Sequence, residues 1–526
     1  MEYLNNINCQ HFPLVWDNHK TSIYQFLLPY RNADKLPETA KILPDHSLDS
    51  RKIKQAARMR DGITNYHSAS AEQSCVEKIL VLLAKITAQP NQSDIETLYT
   101  LVQTGRTLSY IEDLTEEIPK LIIDFDKLYE FIYWLALNSP DREIIKFSIA
   151  ILGCFTTEQT KLFLLFGMHE EFSLYSAGAL QNTLSSETDI ENALLTLAKK
   201  IDGWGRIHII YRLVTYPLSS STKDWLLRSG YRNSLMNEYL AYTCATSGEL
   251  DKALALETID SELISSTSEI IEALINYGPT QDMHNYAAGA KVCLNYLTHL
   301  LNLPNLTDLK ILRTVWLLHD FVINKVNDYY PNWDKQIKNQ IINKANEVIK
   351  QDKWLDLIKN ALTTNNTQQF QLAANLYTQY GFDAWEAHFE HQKNYHSDQW
   401  PYLLLSDSLP RIKQVIQLAN QQYDFAKIAT GPALIHEYET EIDTHNLLDL
   451  ILQELNHFPG VGEDLILIGL NSPVIQNLNT ALNTLEAWDR SSWSERIKTA
   501  IQELAIIEPD EKIKHRIIIL LTSNND

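Results

Sequence analysis

Apolar positions recur with a helical period along almost the whole chain, and β-branched runs bounded by turns are rare. The spacing predicts helix starts near 125, 140, 157, 171, 188, 204, 222 and 234, each followed by a short polar break. Two helices in roughly 30 to 35 residues is the period of a two-helix repeat. Start signals support these positions. Ser139-Pro140 offers an N-cap hydroxyl and a proline for the first turn. Thr156-x-x-Gln159 and Ser221-x-x-Asp224 resemble capping boxes. Thr307-Asp308 opens an amphipathic stretch carrying Leu312, Val315, Trp316, Val322, Ile323 and Val326. Gly230 and Gly381 fall where helices would end. Ala177, Gly178 and Ala179 would let one helix approach another closely.

One segment repeats. Leu137-Asn138-Ser139-Pro140 returns as Leu470-Asn471-Ser472-Pro473, and the same apolar stripe follows each proline: Ile145, Ile149, Leu152, then Leu478, Leu482, Leu485. The expected fold is therefore all-α: a HEAT/armadillo-like α-solenoid of stacked antiparallel helix pairs. Pro29, Pro37 and Pro44 mark residues 1–115 as an irregular N-terminal region, with a helix near 70–87. Residues 116–278 read as central repeats, and Gly278-Pro279 separates them from a C-terminal helical half, 279–526.

Composition sharpens the picture. In 526 residues there are only 16 glycines and 17 prolines, which favours long helices, and 45% of positions are apolar. With 45 basic against 66 acidic residues the formal charge is −21, which argues against nucleic acid and anionic membrane as partners. The nearest approach to a basic run is Arg51, Lys52, Lys54, Arg58 and Arg60, read as a solvated helix face. Five scattered cysteines without a Cys-x-x-Cys pair suit reduced thiols in the cytoplasm. The first residues, Met1-Glu2-Tyr3-Leu4-Asn5, lack the basic and apolar regions of a signal peptide. The longest apolar stretch, about 12 residues from Ile144 to Phe155, is too short for a bilayer.

The chemistry-bearing residues concentrate in the centre. Asp202-Gly203-Trp204-Gly205-Arg206-Ile207-His208 precedes Trp225 to Asn233 and Met236 to Tyr239. Gly203-x-Gly205 lacks the third glycine of a dinucleotide loop, and no strand precedes it. Arg206, His208, Arg228, Arg232, Asn233, Asn237 and Glu238 form a candidate ligand-binding group, because guanidinium groups bind oxyanions. The same residues would equally serve as a structural network, with the arginines meeting helix-end carbonyls and Asp202, Asp224 and Glu238. Glu386, His388, Glu390, His391, His396 and Asp398 crowd one helix, but i,i+2 pairs point to different sides of it, so no metal site is assigned. The sequence has no serine elbow, Cys–His signature, Walker loop or His-Glu-x-x-His, so no catalytic residue is assigned.

These segments resemble a bacterial helical-repeat family often labelled "limonene hydroxylase". The likeness rests on Asp202 to His208, Trp225 to Ala245, Thr430-Gly431-Pro432-Ala433, and Phe458 to Glu463 followed by Ser472-Pro473-Val474-Ile475. It spans roughly residues 125 to 490 and implies a helical-repeat fold. The family pattern continues with alternating Arg and Asn, where this chain has Gln476, Asn477, Leu478 and Asn479. An anion-binding role for that loop is therefore not carried over. Hydroxylating an unactivated C–H bond needs haem, flavin or non-haem iron, and the sequence shows a motif for none of them; no cofactor is expected. The expected function is non-enzymatic binding of a protein or peptide, such as neutralisation of a toxin or effector. The alternative is a binder or enzyme for a small anionic ligand.

Overall fold

The computed structural model describes residues 12–45, 75–156, 159–276, 278–303, 305–327, 330, 332–433 and 440–522. The basic run at 51–60 and Cys9 lie outside them. The protein is all-α: helix accounts for 70% of the structure, with no strand among the described residues. No helix among them is long and apolar enough to cross a membrane. Contacts divide the chain into two compact units, Met1–Leu306 with Thr314–Lys350, and Thr307–Arg313 with Gln351–Asp526.

In the first unit, helix Glu170–Thr183 packs on Arg142–Leu152, Thr160–Gly167 and Gly203–Leu213, while Glu187–Lys200 packs on Gly203–Leu213. Ala179 sits against Gly153, where a Cβ would come 2.9 Å from the Ala179 Cα. Gly178 faces open space, so only its two neighbours serve the close approach. Residues 12–45 lie along these helices. Phe12 and Trp16 meet Trp134, Lys200 Nζ donates to the Ala33 carbonyl (2.6 Å), and Asp45 accepts from Arg142 (2.7 Å). Cys244 and Cys293 are fully enclosed, and burial pushes both thiols far above their usual range.

The second unit repeats the plan. Ile442–Leu455 packs on Ile475–Ala487, Glu463–Leu470 on Ile475–Ala487 and Glu495–Ile507, and Glu511–Thr522 on Ile475–Ala487 and Glu495–Ile507. A set of bonds between neighbouring elements recurs at a similar separation in both units. In the first unit, Arg142 reaches Glu171, Arg212 reaches Gln181, Glu191 accepts from Ser219 and Asn233 donates to the Gly203 carbonyl. The second unit has His445 with Asn477, Thr484 to the Leu452 carbonyl, Trp488 to the Leu455 carbonyl and Arg516 to Glu486. Each of these bonds spans 28 to 33 residues.

The twin Leu-Asn-Ser-Pro segments take up one arrangement, shifted from that expected. Each serine follows a helix rather than capping the next, and its Oγ accepts the amide two residues on, Asp141 or Val474, at 3.2 Å. The following helices begin at Arg142 and Ile475, both two residues after the proline, and both apolar stripes are buried. Other starts also move. Ser219, not Ser221, caps helix Ser220–Trp225, and Gln159 is the N-cap of Thr160–Gly167 rather than its third residue. Asp308 accepts the Lys310 amide at the start of Leu309–Asn324; Leu312, Val315, Val322 and Val326 are buried, but Ile323 is 52% exposed.

Candidate functional site

Helix Gly203–Leu213 carries the central motif. Asp202 caps it, its carboxylate accepting the amides of Gly203 (2.8 Å) and Ser234 (2.9 Å). Burial works to raise the Asp202 pKa, but these amides and the nearby Arg206 and Lys35 charges outweigh it, and the net shift is downward. Glu170 supplies a second cap, accepting the Trp204 amide at 3.0 Å. Gly203 adopts φ +61°, and a Cβ there would collide with Glu170 Oε1. At Gly205 a Cβ would meet the Ile201 side chain and Ser173 Oγ. The glycine pair thus answers a left-handed turn and tight packing on helix Glu170–Thr183.

The chain continues through helix Ser220–Trp225 into one π-helical turn, Leu226–Gly230, which packs on helix Ser261–Ile275. Arg228 is spent within this join. It bonds Asp224 (2.8 Å), both carboxylate oxygens of Asp260 (2.7 Å) and Glu262 (3.2 Å). Those bonds from Arg228, aided by the Leu263 amide, hold the Asp260 pKa at about 2. Arg232 pairs with Glu269 (2.9 Å), which also accepts the Tyr231 hydroxyl (2.6 Å).

Arg206 is different. It is 6% exposed, and it donates from Nε to the Ile201 carbonyl (2.8 Å) and from Nη1 to the Arg232 carbonyl (2.6 Å). No carboxylate lies within ion-pair distance of it among the described residues, and burial pushes its pKa down against the weaker pull of Asp202. Asn233 and Asn237 knit the adjoining loop, with the Asn233 amide donating to Asn237 Oδ1 at 3.0 Å.

Arg206, Arg232, Asn233 and Asn237 line one open depression of about 650 Å³, together with Lys35, Lys199, Asp202, Trp225, Ser229, Ser234 and Glu269. Arg228, His208 and Glu238 lie outside that lining. His208 is buried beside Trp204, with ring centroids 6.3 Å apart, and the Glu238 carbonyl accepts the Thr280 hydroxyl at 2.7 Å. Sequence reasoning missed Lys35, Lys199 and Glu269. Lys35 stands far away in the chain, and Lys199 reads as an ordinary last-turn lysine; neither carries a pattern that marks it.

The histidine-rich helix Trp385–Tyr395 uses its rings for packing. His391 bonds the Ser397 hydroxyl through Nδ1 and the Thr364 carbonyl through Nε2 (3.1 Å), stacked 3.8 Å from Phe370. His388 bonds Gln399 (2.9 Å) and stacks on Tyr402 at 4.6 Å. Asn477, in the first turn of helix Ile475–Ala487, is buried against His445, and Asn479 accepts from Arg516 at 3.0 Å.

The fold and these networks define an all-helical protein whose singled-out polar residues mostly tie neighbouring helices together. No family model matches the chain, and no curated protein matches it. Among solved structures it is similar to an engineered protein at 15% identity, over 86% of this chain and 100% of that one, with a TM-score of 0.19.

Proposed function

We propose that this chain is a non-enzymatic, HEAT/armadillo-like α-solenoid of stacked antiparallel helix pairs that binds a protein or peptide partner in the cytoplasm. The observation that carries the reading is a set of interhelical bonds that span about one two-helix repeat. Ser219, Asn233, Thr484 and Trp488 each reach back 28 to 33 residues, about one repeat, and such bonds occur in both units. Packing of Glu170–Thr183 and of Ile475–Ala487 on both the adjacent and the next-but-one helices supports the same stacking. Repeats so joined present long rows of helices, the surface on which such proteins hold other chains. The arginine network around Arg228 joins Asp224 to Asp260 and Glu262 and serves that stacking.

The test is reconstitution. The full chain, tagged in its native cells and crosslinked in place, is expected to enrich a protein that reassembles with it from purified components at fixed stoichiometry in light scattering. If no enriched protein reassembles, the scaffold reading is wrong.

A further inference from the structure

We propose that the depression containing Arg206 is a binding site for a phosphate monoester. The starting point is a buried charge that has no carboxylate within ion-pair distance among the described residues, Asp202 acting on it only from farther off. Burying an ion is costly unless it is paired, and elsewhere the chain obeys this rule. Lys146, 3% exposed, meets Glu143 at 2.8 Å and Glu171 at 2.9 Å. Arg206 is buried almost as deeply, yet has only two carbonyls, and among the described residues its Nη2 has no hydrogen-bond partner.

The surroundings add cations rather than remove them. Lys35 and Lys199 line the same depression, both exposed, and neither forms an ion pair among the described residues. Lys199 Nζ stands over the Trp225 ring, 5.9 Å from its centroid. With Arg206 and Arg232 there are four cations facing two carboxylates, Asp202 and Glu269, and Glu269 is already taken by Arg232. The depression holds a net of two positive charges in a chain whose formal charge is −21.

The geometry favours phosphate over carboxylate. A carboxylate is best bound by two parallel N–H groups of one guanidinium. Arg206 has given Nε and one N–H of Nη1 to carbonyls, and Arg232 has turned its Nε–Nη2 edge to Glu269, so the Nε edge of neither guanidinium is free for a carboxylate. What remains are donors on different elements: Arg206 Nη2, Arg232 Nη1 and the Lys35 and Lys199 ammonium groups. Separate points suit a tetrahedral group with three outer oxygens, and its charge near −2 matches the local excess. At about 650 Å³ the space exceeds a bare phosphate, and the Trp225 wall offers an apolar face to whatever the phosphate is attached to.

Isothermal titration of the full chain at fixed ionic strength tests this, with phenyl phosphate, inorganic phosphate, a short phosphoserine peptide and benzoate as probes. Phenyl phosphate is expected to bind saturably at one site, and benzoate about tenfold or more weakly. Arg206→Ala risks unfolding, so the deciding variant is Lys35→Ala/Lys199→Ala, both residues being exposed. It should weaken phenyl phosphate about tenfold or more with the melting temperature unchanged. A peptide that outcompetes phenyl phosphate identifies the source as a phosphorylated protein; the reverse order identifies a small ester. Absence of saturable binding, equal binding of benzoate, or an unaffected double variant would each overturn the proposal. The site does not rest on the scaffold reading, because the titration needs no protein partner.

Discussion

At the scale of single residues, the charges inside the first unit sort by whether they are paired. Lys146 sits between two carboxylates, and Arg142 shares Glu171 with it. Lys146→Met would leave Glu171 with one cation fewer in a dry site, and is expected to cost about 3 kcal/mol in urea denaturation. A cost below about 1 kcal/mol would show that the carboxylates relax to water. Arg228→Ala removes three ion pairs, but its partners Asp224, Asp260 and Glu262 are more than half exposed. Solvent screening should hold that loss to about 1 kcal/mol, and a larger one would make the π-helical turn the hinge of the unit.

Histidine gives the pH dependence. Burial, first of all, holds the His388 and His391 pKa values below 6.5. The folded state therefore favours the neutral rings. The stability this represents is complete above pH 6.5, the unfolded value, and is lost as pH falls toward the lower folded values. The melting temperature should decline from pH 7 to pH 5, and less steeply in His388→Gln. Parallel profiles for parent and variant would remove His388 from the account.

Among elements, the clearest stop is at Gly381. Helix Thr367–Gln379 closes with the Gly381 amide on the Thr378 carbonyl (2.8 Å) and the Phe382 amide on the Tyr377 carbonyl (3.2 Å), while Phe382 stacks on Tyr377 at 4.8 Å. Gly381 takes φ +84° there, the left-handed position of a Schellman motif. Gly381→Ala should cost about 1 kcal/mol, whereas Gly178→Ala, in open space within a helix, should gain up to about 1 kcal/mol. Equal effects from the two would contradict this backbone assignment. Helices themselves were legible from apolar spacing, and so was the Gly381 stop. Their first residues were less so. In Ser219-Ser220-Ser221-Thr222 several hydroxyls can cap, and sequence cannot choose among equivalent candidates. Ser139 and Ser472 lost the cap because a hydroxyl can instead bond the amide two residues on. The site was half legible for a similar reason. Arg206 and Arg232 announced themselves as local oddities, while Lys35 reaches the same depression only through the path of residues 12–45.

For the whole molecule, packing mostly between helices close in sequence means that a helix depends chiefly on its sequence neighbours. Trp488 is buried and donates to the Leu455 carbonyl at 2.7 Å. Trp488→Phe should cost about 2–3 kcal/mol through that orphaned carbonyl and lost volume. Hydrogen exchange is expected to quicken in Ile442–Leu455 and Ile475–Ala487 and stay unchanged in Glu170–Thr183. Uniform quickening across the chain would instead mark it as one cooperative body.

The enclosed cysteines turn that local dependence into something a chemist can time. Thiol reagents attack the thiolate, and Cys244 and Cys293 offer neither thiolate nor access while their helices are packed. Cys244 lies within electrostatic reach of Arg206, so its alkylation in the native protein can proceed only through moments when that wall parts. Each of the two sulfurs is a stopwatch set into the interior, and its labelling rate reads how often its own stretch of the molecule comes undone.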